Sequence, residues 1–221
     1  MPEELNEPQT QYGLVPKQKE EESKAKDKRV SLDEYLEMIA DGERRLEYHD
    51  GQVIDIQSAT EQHGQIGANL AGLIYNYLRG KDCRNYIADR EVWIEACKKM
   101  FYPDLLIVCG EQEFKQMSKN VKATINPSVV IEILSDSTSN YDKKFKSKCY
   151  KKLESIKQII YVAQDEKYIY IETPTDNKRV WLTTDYFEDD DLVLIGECNI
   201  LLKDIYEHVE FDNQPERATE V

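Results

Sequence analysis

Two short apolar runs, each interrupted by one acid, constrain this chain more than any other feature. The first is Phe101-Tyr102-Pro103-Asp104-Leu105-Leu106-Ile107-Val108 and the second is Val129-Val130-Ile131-Glu132-Ile133-Leu134. Runs of this length and composition read as buried strands. A carboxylate inside such a strand is costly unless it is paired, hydrogen-bonded or bound to a cation. Alternation along the second run puts Glu132 on the face opposite Ile131 and Ile133. The chain then turns basic, with six lysines and no acid between residues 143 and 152. Two buried carboxylates beside a source of positive charge suit a divalent cation and a phosphate. That combination points to a metal-dependent nuclease.

The flanking segments supply the elements that would carry these runs. Ser31 and Glu34 have capping-box spacing, which predicts a short helix. Arg45 to Ile56 reads as two strands around an Asp50-Gly51 turn. Between His63 and Leu78, apolar residues recur at helical spacing at Ile66, Leu70, Leu73, Ile74, Tyr77 and Leu78. Tyr86 to Ile94 and Phe101 to Cys109 read as consecutive strands joined by a turn at Lys98-Lys99. Ser139 and Asp142 again have capping-box spacing, so a helix should run to about Leu153. Gln158 to Ala163 and Tyr168 to Glu172 form a pair around Asp165-Glu166, and short strands lie near Arg179–Thr183 and Leu192–Ile195. The order predicts an α/β (α+β) domain in which helices flank a central mixed sheet.

The length of 221 residues suits one packed domain with tails. Residues 1–28 are nearly free of large apolar side chains and are expected to be disordered, as is an acidic tail over 210–221. The domain is then 29–209. No apolar run approaches the roughly 20 residues needed to cross a bilayer, and no membrane partner is expected. The N-terminus lacks a basic region followed by an apolar one. The five cysteines include no C-x-x-C pair. Cys109, inside an apolar run, reads as a small buried hydrophobe. A reducing, cytoplasmic setting fits this pattern. The net charge of −14 counts against a non-specific nucleic-acid binder. It does not exclude a nuclease, because charge distribution matters more than the total and the acids gather elsewhere, at Asp185 and Glu188 to Asp191.

At these residues the chain resembles the Uma2 family, also called DUF820, restriction-endonuclease-like proteins of the PD-(D/E)XK nuclease superfamily. The resemblance covers about residues 30 to 207. It rests on Leu46-Glu47-Tyr48-x-Asp50-Gly51, the helix entered through His63, and Tyr102-Pro103-Asp104 with Val108-Cys109-Gly110. It continues through Glu132-x-Leu134-Ser135-x-Ser137-Thr138, Tyr141-Asp142-x-x-x-Lys146-x-x-x-Tyr150 and Ser155-Ile156-Lys157. The family implies a restriction-endonuclease-like central mixed sheet flanked by helices. Pro103-Asp104 matches the "PD" element, and Glu132 matches the acid of (D/E)XK. Leu134 stands where the motif lysine should be, and the matching residue on the following helix is Lys146.

The resemblance implies an endonuclease acting on DNA with Mg²⁺, or Mn²⁺ in its place. Asp104, Glu132 and the backbone carbonyl of Ile133 would hold the metal. Lys146 and Glu47 would complete the catalytic set, Glu47 through a water of the metal shell. Each residue also has a plain reading. Asp104 could cap a turn, Glu47 could be a paired carboxylate beside a turn, and Lys146 could form an ordinary surface pair with Asp142, four residues earlier on one helix face. Lys144 and Lys148 are the alternative lysines. His63 reads as a helix-entry residue, His49 and His208 have no supporting context, and Trp93 and Trp181 read as packing residues. Two other functions fit the chain. One is a catalytically degenerate relative that binds nucleic acid or protein, and the other is a structural homodimer module.

Overall fold

The computed structural model describes residues 29–56, 58–134, 140–177 and 179–211, and leaves out the side chains of residues 140–143. The expected N-terminal tail, nearly all of the C-terminal one and the Ser139–Asp142 capping pair lie outside the described residues. The chain opens with α1 (Leu32–Met38), the β1–β2 hairpin (Leu46–His49, Gln52–Asp55) and α2 (Glu61–Leu78). Seven strands follow, namely β3 (Cys83–Ile87), β4 (Val92–Ile94), β5 (Lys99–Phe101), β6 (Leu105–Cys109), β7 (Phe114–Gln116), β8 (Lys122–Thr124) and β9 (Val129–Leu134). Next come α3 (Asn140–Tyr150), β10 (Gln158–Ala163), β11 (Ile169–Pro174), β12 (Trp181–Tyr186), β13 (Leu192–Ile195), β14 (Cys198–Leu201) and α4 (Leu202–Ile205).

Local chemistry explains the starts and turns. Ser31 Oγ accepts the Glu34 N–H while the Glu34 carboxylate accepts the Ser31 N–H, a complete capping box. Asp50 and Gly51 both have positive φ, as the tight Asp-Gly hairpin requires. Helix α2 begins two residues before His63, because Thr60 Oγ1 accepts the His63 N–H and caps the helix there.

The strands form two six-stranded mixed sheets and one small hairpin. The orders are β2-β1-β5-β4-β8-β7 and β12-β11-β10-β9-β6-β3, with β13-β14 apart. The mixed α+β class is as read from the sequence, but the strand assignment between residues 83 and 109 is corrected. The Tyr86–Ile94 stretch breaks at Ala88, which has positive φ, and the Phe101–Cys109 stretch breaks at Tyr102-Pro103-Asp104. Pro103 has no N–H to give a ladder, so a continuous strand cannot pass through it. The two outer pieces pair as β3–β6 in one sheet and the two inner pieces pair as β4–β5 in the other. Strands β7, β8 and β14 and helix α4 were not read, being three or four residues long.

The cysteine reading is also corrected. Cys109 is bonded to Cys83, its direct partner across β3 and β6. Cys97, in the β4–β5 turn, is bonded to Cys149 on α3. Cys198 is the free cysteine. The spacing of the cysteines carried no sign of these pairs, because chain reversal creates the proximity.

Strand β9 shows how the layers pack. Val129, Ile131 and Ile133 meet Ile66, Leu70, Ile74 and Leu78 of α2 in one apolar cluster. Val130 faces the other way, into a cluster with Val92, Ile94 and Phe101 of the first sheet and Cys149 and Tyr150 of α3. On the far side of the first sheet, Tyr35, Leu36 and Ile39 of the α1 region cover Leu46, Tyr48 and Met100. Each fully buried large apolar side chain contributes about 1.5–3 kcal/mol, so these clusters hold the frame. No described helix is long and apolar enough to cross a membrane.

Candidate active site

Alternation leaves one polar face on each of two strands. On β1, Leu46 and Tyr48 point into the α1 cluster, so Glu47 and His49 take the opposite face. On β9, Glu132 points away from α2, towards α3. Helix α3 lies over both, and its i, i+4 spacing brings Lys146 and Tyr150 to the same side. Asp104 enters from the β5–β6 break, one step beyond the last pair of the β6–β9 ladder, Leu105–Ile131.

The groups meet in a connected network. Lys146 Nζ donates to Glu47 Oε1 at 2.7 Å and lies 3.6 Å from Glu132 Oε1. Tyr150 donates its hydroxyl to Glu132 Oε1 at 2.7 Å. The second oxygen of Glu47 lies 2.9 Å from His49 Nε2, and its first also accepts the Tyr102 N–H at 3.3 Å. Asp104 Oδ1 lies 3.0 Å from His63 Nε2, and its Oδ2 accepts the Ile133 N–H at 2.7 Å. The Glu47 and Glu132 side chains are 6% and 10% exposed, against 24% for Asp104, so the network opens to solvent on the Asp104 side.

Burial and charge set the protonation states. Burial pushes the Glu132 carboxyl up to about 7; Lys146 opposes that shift, while Asp104 and Glu47 add to it. Burial also acts to raise Glu47, but the Lys146 ammonium and the His49 contact outweigh it and hold the carboxyl below its usual value. Burial works against the charge of Lys146, yet Glu132 and Glu47 together keep it above the ordinary ammonium range. Tyr150 is raised well above a normal phenol by burial and by Glu132, so it remains a donor. His63 is raised by its bond to Asp104 against the effect of burial.

Asp104, Glu132, Lys146 and Glu47 are therefore brought together, and Ile133 joins them through its N–H. Lys144 and Lys148, the alternative lysines, are exposed. The Asp142 side chain lies outside the described residues. His49 was missed, although its i, i+2 relation to Glu47 was a usable signal. Tyr150 was placed on the right helix face but given no partner. His63, read as a helix-entry residue, also contacts Asp104.

Among the described residues no group of three or more His, Cys, Asp or Glu side chains is arranged as a ready metal cage. Glu47 is held by Lys146, His49 and the Tyr102 N–H. Asp104 and Glu132 remain, each keeping oxygen capacity beyond its present bonds. No described residue hydrogen-bonds Glu132 Oε2. Two carboxylates fit a hard cation that takes oxygen ligands and retains several waters, as Mg²⁺ does. They do not fit a dry, all-protein site.

Comparison with known proteins bears on the family and the fold of this chain. A solved structure of a "putative nuclease belonging to DUF820" from Anabaena variabilis superposes with a TM-score of 0.64, covering 80% of this chain and 97% of that one. At 20% identity the likeness shows a shared fold. Two uncharacterized proteins of Synechocystis are similar in sequence. One, sll1609, is 27% identical over 59% of this chain and 73% of its own length, and the other, slr1290, is 26% identical over 75% and 85%. The model of the Uma2 family, described as "Putative restriction endonuclease", matches residues 32–198 and so spans every residue of the buried network. The chain therefore belongs to the Uma2 family.

Proposed function

We propose that this protein is a metal-dependent endonuclease that hydrolyses phosphodiester bonds in DNA. The observation that supports it most is the meeting of Lys146 with Glu132 and Glu47 beside Asp104, drawn from four separate elements. A buried ammonium among three carboxylates is a poor device for stability, because desolvation offsets much of the attraction. Such groups are instead what phosphoryl chemistry uses.

Asp104, Glu132 and the Ile133 carbonyl would hold Mg²⁺ or Mn²⁺, which when bound supplies Lewis-acid polarisation of the scissile phosphate and a more acidic water. The protein's own groups do the rest. Lys146 donates to a phosphate oxygen on which negative charge grows. Glu47 and His49 keep that ammonium aimed and charged. Tyr150 fixes the Glu132 carboxylate from one side, and His63 with the Ile133 N–H fixes Asp104 from the other. The exposed Lys144 and Lys148 add sequence-independent contacts to the DNA backbone.

The test is cleavage of supercoiled plasmid with Mg²⁺ or Mn²⁺, beside the Glu132→Ala variant. Cleavage by the parent and none by the variant supports the reading, and equal cleavage overturns it. Calorimetric titration of Mn²⁺ adds a second measure. Binding should be lost in Asp104→Ala and in Glu132→Ala. A second reading, a catalytically degenerate binding module, is favoured by Leu134 at the motif position and by the charge of −14. It predicts Mn²⁺ binding no tighter than that of surface carboxylates in all three proteins.

A further inference from the structure

Lys99 is the least exposed lysine among the described residues, at 7%. Among the described residues no carboxylate lies within ion-pair distance of it. Its ammonium lies 4.2 Å from the ring centre of Phe145, a face that attracts a cation only weakly. Burial lowers its pKa, and the exposed Asp50 opposes this only through space. A buried cation without a counter-ion is unfavourable. Its amine is not sealed off, since the buried polar atoms that lack a partner do not include it.

Its position relates this orphan charge to the active site. Lys99 is the direct cross-strand partner of His49, so both side chains leave the same face of the first sheet. Phe101, two residues further along β5, shares that face, and Lys146 Nζ lies 5.5 Å from its ring. His49 stacks on Phe145 at 5.8 Å, on the residue next to Lys146. The two ammonium groups therefore sit over rings of one aromatic group, Lys146 at Phe101 and Lys99 at Phe145. Lys146 is neutralised by Glu47 and Glu132, whereas Lys99 awaits an anion.

We propose that Lys99 is a binding residue for a backbone phosphate that neighbours the scissile one on the same nucleic-acid strand. This inference rests on the nuclease reading for its ligand, but it is tested by binding. The probe is a short fluorescein-labelled DNA duplex, followed by anisotropy with Ca²⁺ in place of Mg²⁺ across a salt series. Lys99→Met and Lys99→Gln should each bind several-fold more weakly at low salt. Each should also flatten the plot of log affinity against log salt by about 0.9, the loss of one phosphate contact. Lys99→Arg should keep the parent slope. Both neutral variants should melt no lower than the parent, because they remove an uncompensated buried charge.

Parent-like affinity and slope in both neutral variants would overturn the proposal, as would absence of duplex binding by the parent. A slope lost equally in Lys99→Arg would overturn it too, since packing would then be the cause. Plasmid cleavage separates the two ideas. A parent that cleaves while Lys99 has no effect on binding refutes only the phosphate site. A parent that binds through Lys99 but never cleaves refutes only the nuclease reading.

Discussion

The two faces of strand β9 are built on opposite principles. Towards α2, Val129, Ile131 and Ile133 join one apolar cluster with Ile66, Leu70, Ile74 and Leu78. Towards α3, Val130 shares its face with Glu132, whose carboxyl is bonded to Tyr150 and faces the Lys146 ammonium. Six consecutive residues thus supply both a dry core and a buried charge. The first face gains from every methylene removed from water. The second carries a desolvation penalty that its ion pairs only partly offset. The lesson is that one face maintains the fold while the other carries charged groups whose burial works against it.

Substitutions on the two faces should separate those roles. The largest effect is expected for Lys146→Ala in the plasmid assay. Loss of one preorganised electrostatic contact should slow cleavage by a factor on the order of 10²–10³. Mn²⁺ affinity should stay close to the parent's, since lysine is not a ligand. A parent rate would return the catalytic charge to another lysine. On the dry face, Ile131→Ala should cost about 2–5 kcal/mol in urea unfolding, because a fully buried site cannot collapse on the cavity. Glu132→Gln, one residue away, should be neutral or stabilising above neutral pH while abolishing cleavage. If both lose stability equally, the contrast between the faces fails.

A smaller effect should appear in the pH dependence of stability. The folded chain holds the Glu132 proton up to about pH 7, whereas an unfolded glutamate releases it near 4.5. Between those values the native state binds the extra proton, so stability falls as pH rises through the window. Melting curves of the parent minus those of Glu132→Gln should show that decline from about pH 4.5 to 7. Glu47 has the opposite sign, its contribution being present above pH 4.5 and lost below it. A flat difference curve would mean that Glu132 is ionised without penalty. Smallest of all, Lys144→Ala on the exposed side of α3 should leave the melting temperature unchanged. It should reduce the salt dependence of DNA binding by no more than one phosphate contact.

Much of this site was legible before folding, for reasons that can be named. The burial of Glu132 followed from an apolar run too short for a helix, and its face followed from the two-residue period of a strand, whereas Asp104, read as a buried strand residue, stands part-exposed in the break before β6. The displaced lysine could be narrowed to Lys146 only with the family pattern in view. His49 was passed over because its i, i+2 relation to Glu47 shows a shared strand face but not that the face is buried. Its value comes from Phe101, Phe145 and Glu47, two of which lie far along the chain. The strand breaks at Ala88 and Pro103 were missed because continuous apolar pattern outweighed the missing proline donor.

By itself the sequence determined whatever depends on neighbours a few residues away. That includes the capping box at Ser31, the Asp50-Gly51 turn, the apolar stripe of α2, the alternation of β9 and the shared face of Lys146 and Tyr150. These follow from fixed backbone periods and from local hydrogen bonds. Tertiary structure alone decided which of those faces meet. It brought Lys146 to Glu47 across 99 residues of chain, paired Cys97 with Cys149 and divided two apparent strands between two sheets. It also set Lys99 at 7% exposure with no described carboxylate within ion-pair distance. Such contacts depend on closing long loops and on how whole layers bury their apolar faces, and no local period encodes either.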